Sequence, residues 1–166
     1  MSIHATLIGL QHARKLFPYQ PSETRNPPRR RIFLTAPDLD TGGFVAAALT
    51  RFVLGERVYK SFLKRLDPPP EEIWEIRVTA PRPQWRLLGR FLEPDTLVLT
   101  GVFSRDALGR KGSAAWKAAI TDCVRQWAVL FPGRSPHSAT TIHDYVTENC
   151  DDFPLTPPRK RKPRQP

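Results

Sequence analysis

The sequence predicts an α+β fold built around a short antiparallel meander, and three observations predict it. Between Ile73 and Phe103, three strand-length runs either alternate or stay apolar, and turns carrying proline separate them. A single apolar stripe at helical spacing follows, from Trp116 to Leu130. Ahead of the meander, Phe44 to Leu66 carries a second helical pattern interrupted by Gly55. The expected architecture is an antiparallel sheet of about four strands, with an N-terminal helical hairpin and a C-terminal helix.

Taken in order, residues 1–30 begin with Ile3, Leu7, Ile8 and Leu10 and then turn rich in proline at Pro18, Pro21, Pro27 and Pro28, which reads as a flexible basic arm. Arg31 to Ala36 is the first candidate strand. Asp40 or Thr41 can cap a helix over Phe44 to Leu54, with Val45, Leu49 and Phe52 or Val53 inward. Past Gly55, the spacing of Val58, Phe62 and Leu66 predicts a second helix, ended by Asp67-Pro68-Pro69-Pro70. In Ile73 to Thr79, Trp74, Ile76 and Val78 take one face and Glu75, Arg77 and Thr79 the other. Ala80-Pro81-Arg82-Pro83 breaks that run, because proline removes ladder donors. Gln84 to Glu93 sets Trp85, Leu87 and Phe91 against Arg86 and Arg90.

Glu93-Pro94-Asp95 makes the next turn, and Thr96 to Phe103 is apolar on nearly both faces, as a strand covered on two sides must be. Ser113 caps the last helix, whose Trp116, Ile120, Cys123, Trp127 and Leu130 are expected to pack on the face of Trp74, Ile76 and Val78. Pro132-Gly133 stops it. The expected division is therefore a domain over residues 31–132, an extension over 133–153 and a disordered basic tail over 154–166.

The formal net charge of +10 over 166 residues is unevenly placed. Met1 to Arg31 carries six Lys or Arg against one acid, and Pro154 to Pro166 carries five against none. Much of the basicity therefore belongs to the arms rather than to a fitted surface. Two cysteines, Cys123 and Cys150, make no disulfide framework, and no run is apolar enough to span a membrane. A cytoplasmic protein is expected.

Several chemistries lack their motifs. His137 and His143 have no third ligand at useful spacing, so no metal is expected, and Gly109-Arg110-Lys111-Gly112-Ser113 lacks the spacing of a nucleotide-binding loop, so no cofactor is expected. What remains is arginine on a sheet. Arg77, Arg86 and Arg90 are placed to project from one face, and Arg105, Arg110 and Lys111 follow the third strand. Guanidinium forks match phosphate oxygens and stay charged at any relevant pH. The bland reading is a solvated sheet face, and Arg82 and Arg125 are read as plain surface residues. Glu75 is the only acid on the Arg77 face, so no general base stands out.

Three phrases carry a resemblance: Ile73-Trp74-Glu75-Ile76-Arg77, then Trp85-Arg86, then Leu97-Val98-Leu99-Thr100-Gly101-Val102-Phe103 followed by a basic loop and a helix. In that order they resemble the RelE/ParE toxin superfamily, nearest its HigB-like, phage-derived branch, over roughly Gly42 to Phe131. The resemblance implies a RelE-like fold and the toxin of a type II toxin–antitoxin pair. Such a toxin is a ribosome-associated mRNA endoribonuclease, and its partners are mRNA, the ribosome and an antitoxin protein. Arg77, Arg86 and Arg105 match the positions that would be catalytic, and Arg90, Arg110, Lys111 and Lys117 would hold nucleic acid. Trp85 replaces the family's usual tyrosine, and Asp106 stands where a second lysine is common. The alternatives are a non-catalytic nucleic-acid- or ribosome-binding module of the same fold and a ParE-like gyrase inhibitor.

Overall fold

The computed structural model describes residues 14–15, 30–35, 43–66, 71–80 and 82–155. The apolar patch at residues 3–10, the cap at residues 40–41, the proline run at 68–70 and residues 156–166 lie outside the described residues. The chain is α+β. Its open sheet has five strands, β2 (Arg31–Leu34), β3 (Leu63–Arg65), β4 (Trp74–Val78), β5 (Trp85–Glu93) and β6 (Thr96–Ser104), with a two-residue strand β1 (Arg14–Lys15) added at one edge. The spatial order is β1-β2-β6-β5-β4-β3. Among the described residues three α-helices accompany it, α1 (Gly43–Val53), α2 (Arg105–Leu108) and α3 (Ala114–Leu130).

The meander is where the patterns place it, but the sheet is mixed rather than antiparallel. Strand β2 runs parallel to β6, pairing Ile32 with Leu97 and Leu34 with Leu99. A parallel neighbour needs a crossover, and here the long path through α1 and the β3–β5 meander supplies it.

The expected second helix over Glu56 to Leu66 does not form. Gly55 ends α1 in the left-handed region at φ 78°. Val58 then exchanges backbone bonds with the chain around Cys150, and Leu63 to Arg65 pairs with β4 as the extra edge strand. The helical spacing of Val58, Phe62 and Leu66 does not describe one face: Val58 and Leu63 are both buried in the core on the Trp74 side, whereas Leu66 turns to the other side of the sheet. Tertiary pairing overrides local periodicity here.

The sheet is covered on both faces. On one lie Trp74, Ile76, Val78, Leu87, Phe91, Leu97 and Leu99, packed by Val45, Leu49 and Phe52 of α1. Ile142, Tyr145, Val146, Phe153 and Leu155 complete that core, so the segment after Phe131 builds the interior as much as the strands do. On the other face α3 lays Trp116, Cys123, Trp127 and Leu130 over Leu88, Leu92 and Val98. This corrects the expected docking of the last helix onto the Trp74 face. The stripe is the buried face of the helix, but periodicity does not say which face of a two-sided sheet receives it. Ser113 caps α3 by accepting from the Trp116 amide at 3.2 Å. Each large apolar side chain so buried stabilises by roughly 1.5–3 kcal/mol.

Gly89 lets β5 and β6 close. A Cβ there would stand 2.2 Å from the Val98 carbonyl oxygen, at the point where the pairing skips Thr100. Among the described residues, no helix is long and apolar enough to cross a membrane.

Candidate anion-binding site

One end of the sheet gathers charge. The alternation of β4 sends Glu75 and Arg77 to the α3 side, and Arg86 on β5 sits directly opposite Arg77 in the ladder. The next strand contributes its end: Trp85 pairs with Ser104, and the Arg105 amide donates to the Gln84 carbonyl at 2.8 Å. Ser104 also caps α2 through the Ala107 amide, which sets Arg105 at the turn from strand to helix. The sheet register thus brings Arg77, Arg86 and Arg105 to one place from three separate segments.

Glu75 lies beneath them, with its side chain 1% exposed. Arg77 Nε donates to its Oε2 at 2.7 Å, and Arg86 Nε stands 3.0 Å from its Oε1. Arg86 is nearly buried and donates from Nη1 to the Trp85 carbonyl at 2.9 Å. Its Nη2 reaches Gln84 Oε1 at 3.4 Å. Burial lowers the pKa of Arg86, Glu75 raises it, and the repulsion of Arg77 and Arg105 lowers it further. Arg105 donates from Nη1 to the Gly109 carbonyl. Beside this cluster Arg82, Pro83, Gln84, Arg105 and Asp106 line an open cleft of about 530 Å³.

The other expected contact residues lie elsewhere. Arg90 does not project to solvent: it is 6% exposed under α3, with its guanidinium carbon 5.7 Å from the centre of the Trp127 ring. Burial lowers its pKa, and its Nε has no hydrogen-bond partner among the described residues. It shares the alternation of Arg86, but α3 covers the sheet at its level and leaves the end near Arg86 open. Arg110, Lys111 and Lys117 are exposed. Lys111 and Lys117 border a different recess of about 410 Å³, floored by Leu66, Ile73, Trp116 and Ile120. Among the described residues, it shares none with the arginine cleft.

Arg82, Gln84 and Asp106 are the residues the patterns passed over. The signal for Gln84 was available, since it holds the same strand parity as Arg86. Arg82 is exposed, as a turn residue should be, and still borders the cleft. His137 takes no part: it stacks edge-on against Tyr145, and its Nε2 lies 3.0 Å from the Asp144 carbonyl. Among the described residues, no group of three or more His, Cys, Asp or Glu is placed to hold a metal ion.

No family model, curated protein or solved structure matches this chain. The reading of the site therefore rests on its own geometry and on the sequence patterns.

Proposed function

We propose that the Arg77–Arg86–Arg105 cluster binds the phosphodiester backbone of single-stranded RNA. One observation carries this: three guanidiniums meet at one sheet end over a single buried carboxylate, leaving two positive charges in excess. Rigid strands hold Arg77 and Arg86, so the ordering of two long side chains is largely complete before a phosphate arrives. The adjoining cleft has room for a nucleotide's sugar and base.

The catalytic form of this proposal is a ribosome-associated mRNA endoribonuclease, the toxin of a toxin–antitoxin pair held in check by an antitoxin protein. It is supported by the three strand phrases and their likeness to RelE/ParE toxins of the HigB-like branch. In such a cleavage the 2′-oxygen attacks the neighbouring phosphorus and gives up its proton, and the 5′-oxygen leaves and takes one. The arginines would stabilise the added charge on the phosphorane oxygens. A non-catalytic binding module is the second reading, and a specific observation favours it: Glu75, the one acid of this face, is 1% exposed beneath Arg77 and Arg86 and so is out of reach of a 2′-hydroxyl.

Two measurements test the proposal and separate its forms. Anisotropy with a labelled single-stranded oligoribonucleotide should show binding that Arg77→Ala with Arg86→Ala weakens at least tenfold. Expression in bacteria should arrest growth and cut mRNA if the site is catalytic, and the double variant should abolish both. Unchanged RNA affinity in a folded double variant would refute the site.

A further inference from the structure

Resting on the phosphodiester reading above, we infer that Glu75 is the positioning residue of the anion site, the group that makes two mutually repelling arginines present one ligand-ready surface. Arg77 and Arg86 stand directly opposite each other across the β4–β5 ladder. Like charges in that relation push the side chains apart. Glu75, two residues before Arg77 on the same strand face, accepts from Arg77 Nε on Oε2 at 2.7 Å and pairs its Oε1 with the charge of Arg86, whose Nε stands 3.0 Å away.

The use of Nε decides what is left over. A guanidinium has five N–H donors in a planar fork. Arg86 spends one donor of each Nη on Trp85 and Gln84. Arg77 does not: its side chain is 27% exposed, and neither Nη bonds to any described residue. Holding Arg77 by Nε therefore fixes the plane of its fork while leaving the Nη pair, the edge that meets two phosphate oxygens, unclaimed by any described residue. Glu75 itself is out of reach of a ligand at 1% exposure. It touches no RNA and acts only through the arginines.

This role makes a prediction opposite in sign to simple charge attraction. Glu75→Gln removes a negative charge from a cationic site, so bulk electrostatics predicts tighter RNA binding. Positioning predicts the reverse, because an amide accepts through one oxygen only and turns an NH₂ toward the second guanidinium. Anisotropy with a single-stranded oligoribonucleotide at 0.15 M salt is the readout, with thermal melting to establish folding. Glu75→Gln should weaken binding about tenfold. Arg77→Ala should weaken it as much, and the double variant no more than either alone.

Should Glu75→Gln fail to fold, Arg77→Lys carries the test. An ammonium satisfied by Glu75 has no second edge to offer, so Arg77→Lys should bind like Arg77→Ala despite its retained charge. Unchanged or tighter binding by folded Glu75→Gln, additive losses in the double variant, or wild-type affinity in Arg77→Lys would each overturn the inference while leaving the RNA reading in place. Binding that ignores Arg77→Ala with Arg86→Ala would overturn both.

Discussion

Tyr145 donates its hydroxyl proton to Glu72 Oε2 at 2.8 Å, joining residues 73 apart in sequence at the centre of the molecule. The same hydroxyl accepts from the Ala139 amide at 2.7 Å, and Ser138 donates to Glu72 Oε1 at 2.9 Å. The Tyr145 ring, fully buried, packs against Trp74 and Phe91 with centroids 4.6 and 5.3 Å away. Polar and aromatic contacts thus act on one residue to hold the segment after α3 against β4 and β5.

Tyr145→Phe keeps the ring and removes the hydroxyl, leaving Glu72 with Ser138 and a long contact to Arg65. A hydrogen bond to a charged group contributes about 1.5–3 kcal/mol, and chemical denaturation should show a loss of that size. Tyr145→Ala, which also opens the aromatic cluster, should cost more, about 3–5 kcal/mol. A Phe variant as stable as the wild type would show that Glu72 needs only its other partners.

Trp127 closes α3 over Arg90, and its indole N–H donates to the Arg134 carbonyl at 2.7 Å. Trp127→Ala should cost about 3–5 kcal/mol through the cavity alone. It also removes the ring against which a buried cation rests. Trp127→Ala combined with Arg90→Met should therefore recover part of the loss. Denaturation midpoints of the two variants and their combination check this.

RNA affinity should depend on salt in proportion to the phosphates engaged. Three arginine contacts to a single strand imply a slope of log K against log salt near −2, or about −0.7 for each contact. Arg86→Lys retains the charge but cannot hold Glu75, Trp85 and Gln84 together. Its affinity should fall toward that of Arg86→Ala, measured at fixed salt. A slope that collapses on deleting residues 156–166 would locate the contacts in that segment instead.

Burial pushes the Cys150 thiol up to about 11, Arg30 pulls it down, and Asp151, Asp152 and Asp95 push it further up. The fold thus keeps the proton above the pH, near the ordinary thiol value of 9.0, at which an unfolded chain releases it. The contribution to stability is complete below about pH 9 and is lost as the pH rises to about 11. Urea denaturation between those limits should show the wild type losing stability relative to Cys150→Ala. Parallel curves would show that the thiol is not held in its neutral form.

The strands of the meander were legible because alternation over Trp74 to Val78, and the unbroken apolar run of β6, report burial directly. The cap at Ser113 and the stop after Leu130 were legible for the same local reasons. The parallel placement of β2, the strand at Leu63 and the face chosen by α3 were not, since each depends on a partner distant in the chain. The candidate site divides the same way. Strand parity brings Arg77 and Arg86 together, but parity also puts Arg90 with them, and only the path of α3 shows that Arg90 lies under the helix while Arg86 lies at the sheet end beside the part-exposed Arg77. Glu75 was visible as the lone acid of its face, while its two partners could be named only from the strand register.

The contribution of residues 142–155 to the core has a kinetic side. While the chain is being synthesised, β4, β5 and β6 can pair as a local meander and α1 can cover part of one face, yet Trp74 and Phe91 lack their aromatic partner until Tyr145 follows, and the core lacks Phe153 and Leu155. Contacts of such long sequence separation form late and slow the search for the native state. A nascent chain or premature-stop product ending before Tyr145 would expose that aromatic surface, the kind of species that aggregates or is degraded rather than one that acts at reduced strength.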